Sequence, residues 1–143
     1  IRSHGELKSV LDALEQLGVR CVNATCPNVI RIQRLVAQAE AEGRQPVIIG
    51  EAAHPEVAGI ASWCLSPLVF DGPESVQAWL DTPESKREIP MTVVAQTTCI
   101  RELFESSWKI IKKSVQTSKS LIQYVMLRIS VNLRRQKLLL RWM

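Results

Sequence analysis

The sequence predicts an α/β fold: a parallel β-sheet with helices packed on both faces, in three layers. Three observations predict it. Short apolar runs alternate along the chain with segments whose apolar residues recur at helical spacing. The strongest runs, PVIIG and MTVVA, carry almost no polar interruption, as strands buried on both faces do. Prolines stand where helical segments open, and glycines follow where they close.

Leu7, Val10, Leu11, Leu14 and Leu17 predict a first helix, which Gly18 stops. Val19 to Val22 reads as a short strand. Pro27 opens a second helix through Val29, Ile32, Leu35, Val36 and Ala39, ending at Gly43. Pro46 to Gly50 is a buried parallel strand, followed by a short helix. Leu68 to Phe70 is a weaker strand and Pro73 to Leu80 a helix. Asp81 to Pro90 is a polar connection. Met91 to Ala95 is a strong strand, and Ile100 to about Lys113 the helix after it. Beyond Lys113 the alternation stops, and the remaining apolar residues fit a basic amphipathic helix.

A chain of 143 residues with 46% hydrophobic and 22% charged residues suits one globular domain. No apolar stretch reaches the roughly 18 residues of a membrane span. The start at Ile1, with no secretory signal, is expected of a piece cut from a longer protein. The net charge of +4 is uneven: residues 1–113 carry −2, whereas residues 114–143 hold six basic residues and no acidic one. A nucleic-acid reading would rest on the tail alone. Cys21, Cys26, Cys64 and Cys99 form no C-x-x-C pair. At this density a reducing, cytoplasmic setting is expected, where a special cysteine is a ligand or nucleophile.

Ligands of open parallel sheets bind at the carboxyl ends of the strands. Here those ends carry N-A-T-C-P with Cys26, G-E-A-A-H-P-E-V with His54 and Glu56, and Q-T-T-C with Gln96, Thr97 and Thr98. R-S-H-G puts His4 just before the first helix. Each has a plain structural alternative. Cys26 can be packing, and His54 can cap a helix. Glu56 suits a helix dipole, and Thr97 or Thr98 can cap the following helix. Their joint occurrence at equivalent turns points instead to one rim. Two histidines, two threonines and helix N-termini suit a diphosphate. A thiolate suits iron–sulfur or zinc, and a carboxylate beside them can move protons.

The strings IRSHG, NATCP, IIGEAAHPEVAGI and VVAQTTCIRELF resemble, in order and spacing, central blocks of the IspH/LytB family over residues 1 to about 113. The resemblance implies reduction of 4-hydroxy-3-methylbut-2-enyl diphosphate to isopentenyl and dimethylallyl diphosphate in the non-mevalonate pathway. It implies a [4Fe-4S] cluster with Cys26 as one of three cysteine ligands. It further implies that His4 and His54 bind the diphosphate, that Glu56 relays protons, and that Thr97 or Thr98 contacts the substrate. Ferredoxin or flavodoxin would supply electrons, and neither nucleic acid nor membrane is an expected partner. Asn23 stands where the family usually has Asp, and Glu51 where His is often found. Cys21, Cys64 and Cys99 match no ligand motif. The family's other two ligand cysteines, its first histidine and its S-x-N motif have no match here, so little or no activity is expected of this polypeptide alone.

The tail from about Ser114 reads as a frameshift product. Shifted by one reading phase, codons for Ile122 to Arg128 can spell T-I-C-N-A-T, which resembles the missing cysteine block. The expected organisation is therefore an IspH-like region over 1–113 and a basic tail over 114–143. Two other readings remain. One is a non-catalytic α/β module that binds a phosphorylated small molecule through His4, His54 and Thr97. The other is a protein whose basic tail docks on a membrane surface or nucleic acid.

Overall fold

A computed structural model describes residues 1–83 and 89–114, and the backbone of Ile122–Val125. The elements run α1 (Lys8–Gln16), α2 (Pro27–Ala41), β1 (Gln45–Ile49), α3 (Pro55–Ala61), β2 (Leu68–Phe70), α4 (Pro73–Leu80), β3 (Met91–Ala95), α5 (Arg101–Ser114) and β4 (Ile122–Val125). Proline occupies the first helical position of α2, α3 and α4, where its missing N–H costs nothing and its fixed φ suits the helix. Gly43, at φ 72°, takes the left-handed turn that ends α2; the next amide, Arg44 N–H, bonds back to Ala39 O at 2.8 Å.

The sheet order is β2-β1-β3-β4, and every pair is parallel. Side chains alternate across it with the period of two that a strand imposes. Val47, Ile49, Met91, Val93 and Ala95 pack with Val76 and Leu80 of α4 and Phe104 and Ile111 of α5. Ile48 and Val94 pack with Val29, Ile32 and Val36 of α2 and Val57 and Ile60 of α3. Two half-cores thus flank one sheet, which is the three-layer arrangement expected.

Two readings change. Val19–Val22 is not a strand: Val22 is 80% exposed, and the segment lies off the sheet. Its continuation pairs instead with the front of the chain. Ile1 N bonds Val22 O at 2.9 Å, Ala24 N bonds Ile1 O at 3.1 Å, and Cys26 N bonds Ser3 O at 2.8 Å. The sheet also does not end at β3, because Ile122–Val125 aligns with Met91–Val94 as β4 where the sequence suggested helix. The rest of the expected amphipathic helix, and residues 84–88 of the polar connection, lie outside the described residues. Among the described residues no helix is long and apolar enough to cross a membrane.

Candidate functional site

Strands β1 and β3 are adjacent and parallel, so the turns that leave their carboxyl ends are neighbours. After β1 the chain passes Gly50 and Glu51 and enters α3 at His54. After β3 it passes Gln96, Thr97 and Thr98 and enters α5. The register Ile49↔Ala95 brings the two turns level.

Glu56 sits in the first turn of α3 and is 1% exposed. One carboxylate oxygen accepts the Thr97 backbone N–H at 2.5 Å, and the other accepts the Thr97 hydroxyl at 2.7 Å. A buried carboxylate needs such donors to replace lost water. His54 is the N-cap of α3, and its Nδ1 accepts the Glu56 N–H at 3.1 Å. The capping role foreseen for this histidine is therefore real. It also decides the ring's chemistry: with Nδ1 accepting, the neutral imidazole carries its proton on Nε2. That leaves an Nε2–H donor for a ligand. The His4 ring meets the His54 ring edge-on, with centroids 5.7 Å apart and planes at 76°.

His4 is held by docking of the front segment on α3. Lys8 N–H bonds Ser62 Oγ at 2.9 Å, and Gly59 lets the carbonyls of His4 and Glu6 approach the helix. Cys26, at the N-cap of α2, joins through its amide to the carbonyl of Ser3, next to His4. His4, His54, Glu56 and Thr97 thus form one chain of neighbours, whereas Cys26 is tied to it only through its backbone, its side chain packing against the α2 and α3 half-core. Thr98 joins it less directly, accepting from Gln96 Nε2 at 2.9 Å.

Gln96 is a residue to which the sequence assigned no role. It is buried, and its Oε1 also accepts the Glu51 N–H at 3.2 Å, so one amide fastens both turns. Gly50 is the matching signal in the sequence. A Cβ there would lie 2.8 Å from Gln96 Cβ and 2.9 Å from Val57 Cγ2. Gly50→Ala is therefore expected to destabilise the fold by about 1–3 kcal/mol through overpacking. Urea unfolding of the purified chain measures this, and an unchanged midpoint would refute it.

The other thiols behave differently from a ligand. Burial, then the Glu40 charge, pushes the Cys64 thiol up to about 11, and its Sγ donates to Ala61 O at 3.4 Å. Burial likewise raises Cys99. Cys21 is exposed on the Val19–Val22 segment. Iodoacetamide at pH 8 is expected to label Cys21 well before Cys64, because the thiolate reacts. The fold favours the protonated Cys64 thiol. Its contribution is full below the ordinary 9.0 and is lost as pH rises through about 11. Equal labelling rates, read by mass spectrometry, would contradict this. Among the described residues no three His, Cys, Asp or Glu side chains are grouped to hold a metal ion. Of the four described thiols only Cys26 matches the ligand motif, and one thiol is not a donor set for a [4Fe-4S] cluster by itself.

The model of the LytB protein family matches residues 1–127. This chain belongs to the LytB family. Its LytB relatives include the 4-hydroxy-3-methylbut-2-enyl diphosphate reductase of Clostridium perfringens strain 13, 34% identical over 127 residues. That alignment covers 87% of this chain and 40% of the relative. The enzyme of the same name from Caldanaerobacter subterraneus subsp. tengcongensis is 32% identical, covering 81% and 38%. The chain thus spans about two-fifths of the length of the curated LytB relatives it matches. A solved structure of (E)-4-hydroxy-3-methyl-but-2-enyl diphosphate reductase, described as the terminal enzyme of the non-mevalonate pathway, superposes with a TM-score of 0.73. It is 29% identical, and the match covers 88% of this chain and 43% of that one. The corresponding reductase from Plasmodium falciparum superposes with a TM-score of 0.74 over 86% of this chain and 36% of that one; at 18% identity it speaks to the fold. The family match runs beyond Lys113, where the resemblance of short motifs ended, and takes in β4.

Proposed function

We propose that this chain carries the diphosphate-binding and proton-handling rim of a 4-hydroxy-3-methylbut-2-enyl diphosphate reductase. The observation that supports it is the contact chain from His4 to His54 to Glu56 to Thr97, in a chain of the LytB family. In the reaction the C–O bond of the substrate hydroxyl breaks. Two electrons and two protons enter, water leaves, and isopentenyl and dimethylallyl diphosphate result. His54 Nε2–H and the His4 ring hold the diphosphate, which anchors the substrate and turns the chemistry into a positioned, intramolecular event. Glu56 carries a proton toward the departing hydroxyl, with Thr97 orienting its oxygens and Thr98 at the edge of the substrate site. Ferredoxin or flavodoxin supplies the electrons, and the cytoplasm is the setting.

The chemistry of the family's [4Fe-4S] cluster would need Cys26 and further thiolates, and no such group is assembled among the described residues. Anaerobic incubation of the chain with iron and sulfide is expected to give little cluster absorption and no isopentenyl diphosphate. Full cluster loading with turnover would overturn this reading of the donor set. The single thiol also favours a second reading: an α/β module that binds a phosphorylated small molecule without catalysing. Binding of the diphosphate with no dependence on iron would select it.

The tail from about Ser114 is assigned to a shifted reading frame, supported by its loss of every carboxylate. The place of Ile122–Val125 in the sheet weighs against so early a boundary. Sequencing the locus decides: an alternate frame without the cysteine block, or with an early stop, excludes the shift.

A further inference from the structure

His4 sits in a short segment anchored at both ends. Before it, the Ser3 carbonyl accepts the Cys26 N–H at 2.8 Å. After it, the Lys8 N–H donates to Ser62 Oγ at 2.9 Å, 54 residues away in the chain. Between the anchors the chain turns, with the Gly5 N–H on Arg2 O at 3.0 Å. It then runs along α3, where a Cβ at Gly59 would touch the carbonyl oxygens of Glu6 and His4 at 3.6 and 3.7 Å. The two anchors differ in kind. The first is backbone on both sides. The second depends on one side chain, the hydroxyl of Ser62 at the C-cap of α3. That hydroxyl gives its proton to Gly59 O at 2.8 Å, which leaves an oxygen lone pair for Lys8. Among the described residues no other hydrogen bond joins residues 1–16 to α3 or its C-cap. Packing of the following helix does not replace it, because α1 has no buried residue.

We propose that Ser62 is a positioning residue: through Lys8 it holds the His4 ring against His54, and so sets the grip of the two imidazoles on a diphosphate. The inference rests on the reading of this rim as a diphosphate site. Ser62 acts through Lys8 and not on the ligand. With its bond broken, residues 4–8 are held at one end only. The His4 ring then leaves the edge-on contact in which its centroid stands 5.7 Å from that of His54. Two groups that must grip one ligand lose affinity when their spacing is not fixed beforehand, because binding then has to order them.

The test breaks the bond from each side in the full chain. Ser62→Ala removes the acceptor. Lys8→Pro removes the donor at the first helical position of α1, where proline fits; Leu7, extended at ψ 141°, suits the residue before a proline. Lys8→Met keeps the N–H and drops only the ammonium's contacts with Asp12 and Trp63. The chain has two histidines, so His54→Ala assigns the imidazole proton signals. In Ser62→Ala and in Lys8→Pro the His4 signals are expected to lose the shift that the His54 ring imposes. The Kd for inorganic pyrophosphate is expected to rise about fivefold in each. The double variant is expected to go no further, since both changes remove the same bond. Lys8→Met and Ser62→Thr, which keep it, are expected to match the wild type. A Ser62 that serves stability alone would lower the urea midpoint in Ser62→Ala and leave the His4 signals in place, and that result overturns the proposal. Losses that add in the double variant overturn it too. If the wild type binds no pyrophosphate, the diphosphate reading fails, and the His4 signals still decide what Ser62 holds.

Discussion

Glu56→Ala is expected to lower the free energy of unfolding by about 2–4 kcal/mol, because it strands donors that the fold has taken out of water. Glu56 is 1% exposed, and both of its oxygens are engaged by Thr97, one by the backbone N–H and one by the hydroxyl. Truncation leaves that amide facing a void in the buried position that the carboxylate filled. Glu56→Gln is the informative contrast. Its amide oxygen still accepts the Thr97 N–H, and the threonine hydroxyl can turn to accept from the new NH₂. A cost of about 1 kcal/mol or less is expected there. The Gln variant nonetheless cannot carry the proton proposed for Glu56, so stability and the proposed proton transfer separate at this position. Urea unfolding of both variants reads the difference, and equal losses would mean that the hydrogen bonds are not what the carboxylate contributes.

Phe104→Ala is expected to cost more, about 3–5 kcal/mol, against a total of roughly 5–15 kcal/mol for a domain of this kind. The ring is 2% exposed and packs in the half-core with Ile111, Leu80 and Val93, so its removal opens a cavity between α5 and the sheet. Phe104 also anchors the start of α5, directly after the Q-T-T-C turn; its amide bonds Ile100 O at 3.1 Å. Loosening this turn is expected to speed alkylation of Cys99, whose thiol burial now holds up. A loss below about 1.5 kcal/mol, with unchanged Cys99 labelling, would show that α5 is not held through this ring.

Leu68–Phe70, Pro73–Leu80 and Met91–Ala95 could be read from the sequence because their signals are local: an apolar run, or a proline before helical spacing. Val19–Val22 could not. Its residues have the composition of a strand, but whether they are covered depends on what lies beside them, and Val22 is left exposed. The alternation of strands and helices placed His54, Glu56 and Thr97 on one edge, since parallel strands send their following turns the same way. The pairings within that edge were not legible. Glu56 and Thr97 are 41 residues apart, and their contact follows from the register of β1 against β3. The same register lets Gln96 reach Glu51. The proton position on His54 follows from a cap whose geometry no spacing specifies.

The most direct measurement follows the imidazole signals of His4 and His54 and the amide signal of Thr97 while the full chain is titrated with 4-hydroxy-3-methylbut-2-enyl diphosphate. A shared pocket predicts that all three shift and saturate at one common Kd. Shifts that saturate separately, or histidines that respond while Thr97 stays still, would contradict it.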